Sequence, residues 1–237
     1  MKKYPIGIQS FEEIRSNSYY YVDKTNFVKK LAESGKYYFL SRPRRFGKSL
    51  FLDTLHQAFS GRKEYFKGLF LENNWNWDEL FPVLHISLGA GVIKDVNRLN
   101  SRFNYLLSQF SEAYGVKLKE QNISERFDEL IRKISEKYNQ KVVVLIDEYD
   151  KPILDNIDNP DSAVEIREEL KNFYSVIKDN DKYLKFVFIT GVSRFSRVSI
   201  FSGLNNLEDI SLGDKYSTIC GYTQKELETV FEEPLKG

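Results

Sequence analysis

Cysteine is almost absent from this chain: Cys220 stands alone among 237 residues. That excludes an intramolecular disulfide and a zinc site built on thiolates. No sign of charge dominates either. The 35 Lys and Arg against 34 Asp and Glu leave a formal net charge of +1, so no global field points to nucleic acid or an anionic membrane surface. The pairs Lys29-Lys30 and Arg62-Lys63 read as solvated helix faces. Met1-Lys2-Lys3 is not followed by the apolar stretch of an export signal, and no apolar run approaches membrane-spanning length. A cytoplasmic, reducing setting without membrane contact is the expectation. Low-complexity linkers and internal repeats are missing as well.

What is present is an alternation of helical and strand patterns, the signature of an α/β fold. Asp23 or Thr25 caps a short helix carrying Phe27, Val28 and Leu31 that ends at Gly35, and a strand follows at Tyr37 to Leu40. Phe51, Leu52, Leu55 and Phe59 share one helix face that stops at Gly61. A second strand is expected at Val83 to Leu88. Long helical patterns run through Val96, Leu99, Phe103, Leu107 and Phe110, and through Phe127, Leu130, Ile131, Ile134 and Tyr138. Then come a strand at Val142 to Ile146, a helix with Ile166, Leu170, Phe173 and Ile177, and a strand at Phe186 to Thr190. A weaker strand is expected near Asp209 to Leu212. Thr223-Gln224-Lys225-Glu226 is a capping box opening a last helix.

Two segments carry chemistry. Ser41-Arg42-Pro43-Arg44-Arg45-Phe46-Gly47-Lys48-Ser49 ends a strand and opens a helix, the setting in which backbone N–H groups cradle phosphate oxygens. Lys48 then reaches the outer phosphates and the Ser49 hydroxyl ligates Mg²⁺. The motif matches only the last half of the phosphate-loop pattern, because Arg42 stands where a first glycine belongs. Arg42 and Pro43 therefore reshape the front of the loop. About a hundred residues further on, Val142-Val143-Val144-Leu145-Ile146 runs into Asp147-Glu148, a buried parallel strand delivering two acids at its carboxyl end. Asp147 suits Mg²⁺, an ion that prefers oxygen ligands, and Glu148 suits the orientation of an attacking water. Each segment alone recurs by chance; together, in this order, they reinforce each other.

With Gly7-Ile8-Gln9-Ser10-Phe11, Tyr21-Val22-Asp23-Lys24-Thr25, the Leu145 to Asp150 run, Thr190-Gly191-Val192 and Ser199 to Asn206 added to the phosphate loop, nearly the whole chain resembles the AAA-ATPase-like family. The resemblance implies a P-loop NTPase core of additional-strand type, with a parallel sheet of order 5-1-4-3-2 flanked by helices. It further implies Thr190 as a polar sensor near the γ-phosphate and a frequent C-terminal fusion to a PD-(D/E)xK nuclease-type domain. Arg194 and Arg197 follow the sensor strand. They are placed to reach the γ-phosphate in cis or across a subunit interface, or simply to pair with acids.

The nucleotide-binding set is then Arg44, Arg45, Phe46, Gly47, Lys48, Ser49 and Leu50, with Tyr21 the choice among Tyr19, Tyr20 and Tyr21 for stacking on the base. The catalytic set is Lys48, Glu148, Thr190, Arg194 and Arg197, and the metal set Ser49 and Asp147. Arg44 and Arg45 equally fit solvated loop cations. His85 reads as a strand-face histidine and His56 as exposed, while Trp75 and Trp77 read as packing a long insertion onto the core.

The expected organisation is a lead-in at 1–35, an ATPase core at 36–215 and the start of a helical lid, cut short, at 216–237. The expected activity is Mg²⁺-dependent binding and hydrolysis of ATP, preferred over GTP because no Asn-Lys-x-Asp guanine signature is present. The alternatives are a nucleotide-dependent switch with negligible turnover and the regulatory half of a DNA-processing nuclease, reaching DNA through a C-terminal domain. No (D/E)-x-K pattern on paired strands stands out within the chain. Self-association into a homo-oligomer fits the trans role open to the arginines.

Overall fold

A parallel sheet whose three central strands are buried along almost their whole length needs helices on both faces. The computed structural model describes residues 2–194, 200–201, 204 and 206–231. The strands are β1 (Tyr37–Ser41), β2 (Val83–Ser87), β3 (Val142–Asp147), β4 (Leu184–Gly191) and β5 (Glu208–Asp209). They lie in the order β5-β1-β4-β3-β2, all parallel, which is the order expected. β1, β2 and β3 end within one residue of expectation, and β4 is longer, with eight residues from Leu184 to Gly191 rather than the five expected from Phe186 to Thr190; β5 falls short. It has two residues rather than the four expected near Asp209 to Leu212, because after Ile210 N–H bonds Phe39 O the chain turns and Ser211 engages β1 through its side chain.

Side chains alternate across each strand, and the two faces acquire separate cores. Phe39, Leu84, Ile86, Val144, Ile146, Val187 and Ile189 face one layer. That layer is built by α4 (Val96–Ala113), α5 (Ile123–Tyr138) and α7 (Pro160–Asp179). There the Phe173 ring stacks between Phe103 and Phe127, with centroid separations of 3.9 and 4.4 Å. Tyr38, Leu40, Val143, Leu145, Phe186 and Phe188 face the other layer, made by α1 (Phe11–Ser16), α2 (Thr25–Ser34) and α3 (Lys48–Phe59). Each fully buried Leu or Phe here removes enough apolar area from water for truncation to alanine to cost ~2–5 kcal/mol. Two further α-helices among the described residues are the single turn α6 (Lys151–Leu154) and α8 (Gln224–Val230).

Local signals explain the helix starts. The capping position of α2 is Lys24, which makes no side-chain cap, rather than the Asp23 or Thr25 expected; Asp23, one residue earlier, accepts the N–H of Thr25 at 2.8 Å and its hydroxyl at 2.7 Å, and Thr25 is the first residue of the helix. Thr223 and Glu226 close the reciprocal capping box of α8. Trp75 and Trp77 pack edge-on and tilted against Phe59 and Phe66, with centroids 5.3 and 5.0 Å apart, so the insertion they belong to is pinned to α3. Among the described residues no helix is long and apolar enough to cross a membrane.

Candidate functional site

A parallel sheet sends all its strand ends to one edge, and three of those ends are stitched together here. Leu40 of β1 is in register with Thr190 of β4, and Ser87 of β2 with Asp147 of β3. The Thr190 hydroxyl donates to Asp147 Oδ1 at 3.3 Å. Asp150, fully buried, accepts the N–H groups of Val192 and Ser193, and the Ser41 hydroxyl donates to Val192 O at 2.7 Å. Burial pushes the Asp150 carboxyl up, against the downward pull of those N–H groups.

From this edge the loop between β1 and α3 departs. Arg42 N–H continues the β1–β4 ladder to Gly191 O, and its guanidinium donates to Ser211 O. The bulky residue in the place of a first glycine therefore fastens the front of the loop to the sheet. Pro43, lacking an N–H, contributes its carbonyl: Lys48 Nζ donates to Arg42 O and Pro43 O, each at 2.9 Å. Residues 43–47 are exposed while Lys48 is buried. Burial lowers the Lys48 pKa, with Asp147 the largest opposing charge. Gly47 is the residue before α3, at φ 91°, and no side chain caps the helix. That conformation is natural to glycine, and the uncapped first turn leaves backbone donors turned toward the loop.

Two non-glycine residues at the site have left-handed backbone, Arg45 at φ 61° and Glu148 at φ 55°. Such a conformation costs about 1 kcal/mol or more and collects at functional positions. The turn at Glu148 brings its carboxylate to Gly89, just beyond β2: a Cβ added there would lie 2.7 Å from Glu148 Oε2. Burial and then the Asp147 charge raise the Glu148 pKa, opposed by Lys151, Lys48 and Arg44.

A cavity of about 1040 Å³ opens over the loop. Its floor includes Arg44 to Phe51 and Glu148. Ile8, Gln9 and Tyr21 form one wall, and Ile219 to Tyr222 form the other. The walls are clasped to each other. Lys24 Nζ lies 2.5 Å from Glu226 Oε1, and Tyr20, Val22 and Phe231 share a small apolar cluster. Phe46 contacts Gly221, whose added Cβ would meet the ring at 2.8 Å. The Tyr21 hydroxyl bonds to Thr54 and burial raises its pKa, while its ring stands edge-on to Phe11 at 5.2 Å. Burial also pushes the Cys220 thiol up to about 12.

The expected residues thus gather at one edge, with one reassignment. Arg194 donates to Asp209 through Nη2 at 2.9 Å, so its guanidinium sits in the acid pairing that the sequence left open. Arg197 lies outside the described residues. Sequence reasoning missed Gly89, the Ile219 to Tyr222 wall and the tie made by Asp150. Only Asp150 gave a signal, as the third acid of the Asp147-Glu148-Tyr149-Asp150 run. The donor set fits hard ions: Ser49 in the first turn of α3 and Asp147 supply a hydroxyl and a carboxylate oxygen.

A five-stranded parallel α/β protein with a roomy cavity at the carboxyl edge of its sheet has the layout in which such sheets bind ligands. The family described as "Predicted AAA-ATPase" matches residues 5–201 of this chain, and the chain belongs to that family. A relative from Azotobacter chroococcum mcd 1, named "Uncharacterized protein in vnfD 5'region", is 52% identical over 237 residues. The match takes in 100% of this chain and 46% of that protein, so the chain spans about half the length of the relative.

Proposed function

We propose that this chain binds Mg²⁺-ATP in the cavity over the β1–α3 loop and hydrolyses it. The observation that carries the reading is Lys48. It is a buried ammonium at an uncapped helix start, hydrogen-bonded only to loop carbonyls among its described contacts and facing the two acids at the end of β3. Such a cation is poised to exchange carbonyl partners for phosphate oxygens, with the N–H groups following Gly47 as further donors. Ser49 and Asp147 hold the metal, which supplies charge neutralisation at the phosphates. Glu148 orients the attacking water, and Thr190 fixes Asp147 from behind. The base lies between the Ile8-Gln9-Tyr21 wall and the Ile219 to Tyr222 wall, where apolar surface predominates.

A second reading is a nucleotide switch with little turnover. It is favoured by the engagement of Arg194 with Asp209, which withdraws one cation from the charge developing in phosphoryl transfer, where an arginine can be worth about 10³-fold or more. One experiment tests the proposal and separates the readings. Calorimetry with Mg²⁺-ATP should show one tight site in the wild type and none in a folded Lys48→Ala variant. Unchanged affinity in that variant refutes the loop as the phosphate site. Phosphate release above background then distinguishes the hydrolase from the switch.

A further inference from the structure

The only two histidines of the chain meet beside the nucleotide cavity. His56 lies on α3, two turns beyond the phosphate loop, and His85 lies in the middle of β2. Their rings are 5.8 Å apart and nearly perpendicular. His56, expected to be exposed, is 35% exposed at its side chain, because the sheet face carrying His85 packs under α3. Asp53, one turn before His56, completes the group. One oxygen or nitrogen from each of the three residues falls within 4.8 Å of the others, and His56 Nδ1 is 3.7 Å from Asp53 Oδ1.

The 3.7 Å contact between Asp53 and His56 accounts for those two side chains but leaves His85 unexplained. Its Nε2 is buried with no hydrogen-bond partner, an arrangement native proteins avoid. An imidazole nitrogen with no hydrogen-bond partner is free to offer its lone pair to a metal ion. Two imidazole nitrogens and one carboxylate oxygen suit Zn²⁺ and ions of similar softness, and poorly suit Mg²⁺ with its preference for oxygen ligands. Bonds of about 2.0–2.2 Å in a tetrahedron separate ligand atoms by about 3.3 Å. Asp53 and His56 are already near that spacing, and the partly exposed His56 ring can supply the remaining closure.

We propose that Asp53, His56 and His85 form a binding site for Zn²⁺ or a Zn²⁺-like divalent ion, distinct from the Mg²⁺ ligands at the phosphate loop. The ion staples α3 to β2. Its reach extends further through Asp53, whose Oδ2 accepts the N–H of Phe11 at 2.6 Å, at the start of α1. Ile8 and Gln9, immediately before α1, line the nucleotide cavity. Occupancy therefore fixes the anchor of one cavity wall.

The test uses chelator-treated protein in excess Mg²⁺ without nucleotide. Zn²⁺ binding is read by calorimetry, and Co²⁺ binding by its visible absorption bands. One equivalent should bind, with Co²⁺ bands characteristic of low coordination number, and Zn²⁺ should raise Tm. His56→Ala and His85→Ala should each weaken Zn²⁺ by more than about 100-fold, beyond the loss typical of groups outside the ligand set. His56 is partly exposed, so its variant carries the test even if His85→Ala folds poorly. Cys220→Ser should bind as the wild type does, and so should Lys48→Ala, which separates failure of this site from failure of the nucleotide reading. No stoichiometric Zn²⁺, binding that survives His56→Ala, or binding lost in Cys220→Ser overturns the proposal.

Discussion

Gly89 lies outside every motif that the sequence displays, yet the structure makes it the test of Glu148. Its φ is not in the left-handed region, so alanine is allowed by the backbone, but the added Cβ would stand 2.7 Å from Glu148 Oε2 and 3.2 Å from its Cδ. An ordinary carbon–oxygen contact needs roughly 3.3 Å or more, so the carboxylate must retreat by about half an ångström to one ångström. The atom met is the far end of a flexible side chain, hence global stability should hardly change. Catalytic geometry is less forgiving, since a displacement of about 1 Å can cost on the order of 10²-fold. We expect Gly89→Ala to lower kcat by about 10- to 100-fold while leaving Mg²⁺-ATP affinity and Tm near wild type. The assay is steady-state phosphate release beside equilibrium nucleotide binding. The double variant with Glu148→Gln should be no slower than Glu148→Gln alone, because both act on one group. Wild-type turnover in Gly89→Ala, or rate losses that multiply in the double variant, would refute the placement of Glu148.

Glu148→Gln itself should bind Mg²⁺-ATP normally and hydrolyse it about 10²-fold or more slowly. The wild-type acid limb of kcat should lie above the ordinary glutamate value of 4.5, because burial and Asp147 raise this group. A raised carboxyl holds its proton more tightly in the folded state, so it detracts from stability as pH rises from 4.5 through its folded value. The Tm of Glu148→Gln relative to wild type should therefore climb as pH rises above the ordinary glutamate value of 4.5, and a flat difference would contradict that environment. Glu129 has the opposite sign. Burial raises it, but Lys133 at 2.6 Å and the N–H groups of Lys119 and Glu120 outweigh burial and hold it at about 2. Glu129→Gln should lower Tm by about 2–6 °C near neutral pH, with the gap closing as pH falls from 4.5 toward 2 in thermal melts.

What the sequence displayed most clearly was whatever is contiguous. The Val142 to Ile146 run could be read as a doubly covered strand because burial on both faces leaves no room for polar alternation, and α4, α5 and α7 each spell out their buried stripe. The loop and the Asp147-Glu148 pair were legible for the same reason. α1 was hidden because six residues carry little periodicity; the side chain of Ser10, accepting from Glu13 N–H at 3.2 Å, and Asp53 on Phe11 N–H start it. β5 was misjudged in length because Ile210-Ser211-Leu212 looks like a strand locally, whereas Leu212 is 77% exposed and the Ser211 hydroxyl oxygen accepts the Ser41 N–H of β1. The pairing of His56 with His85 lies across 29 residues and depends on α3 packing over β2, which no local pattern encodes.

The left-handed turns at Arg45 and Glu148 connect these levels. Each is a conformation the residue would avoid in an unconstrained chain, so the fold must hold it. At Glu148 the restraints are visible on both sides: Asp147 is locked in β3 and bonded by Thr190, Tyr149 N–H donates to Thr190 O at 3.1 Å, and Asp150 is tied to the β4 end. The one residue between these anchors has little freedom except at its side chain, which points to the gap kept open by Gly89. At Arg45 the restraints are Arg42, bound to Ser211 and Gly191, and Lys48, bound back to the loop carbonyls. Replacing those carbonyls by an anion would exchange one anchor of the Arg45 turn for another rather than remove it. The loop is thus held in shape before ligand arrives by the same ammonium that would hold the ligand, and the ordering of the cradle need not be met entirely at the moment of binding.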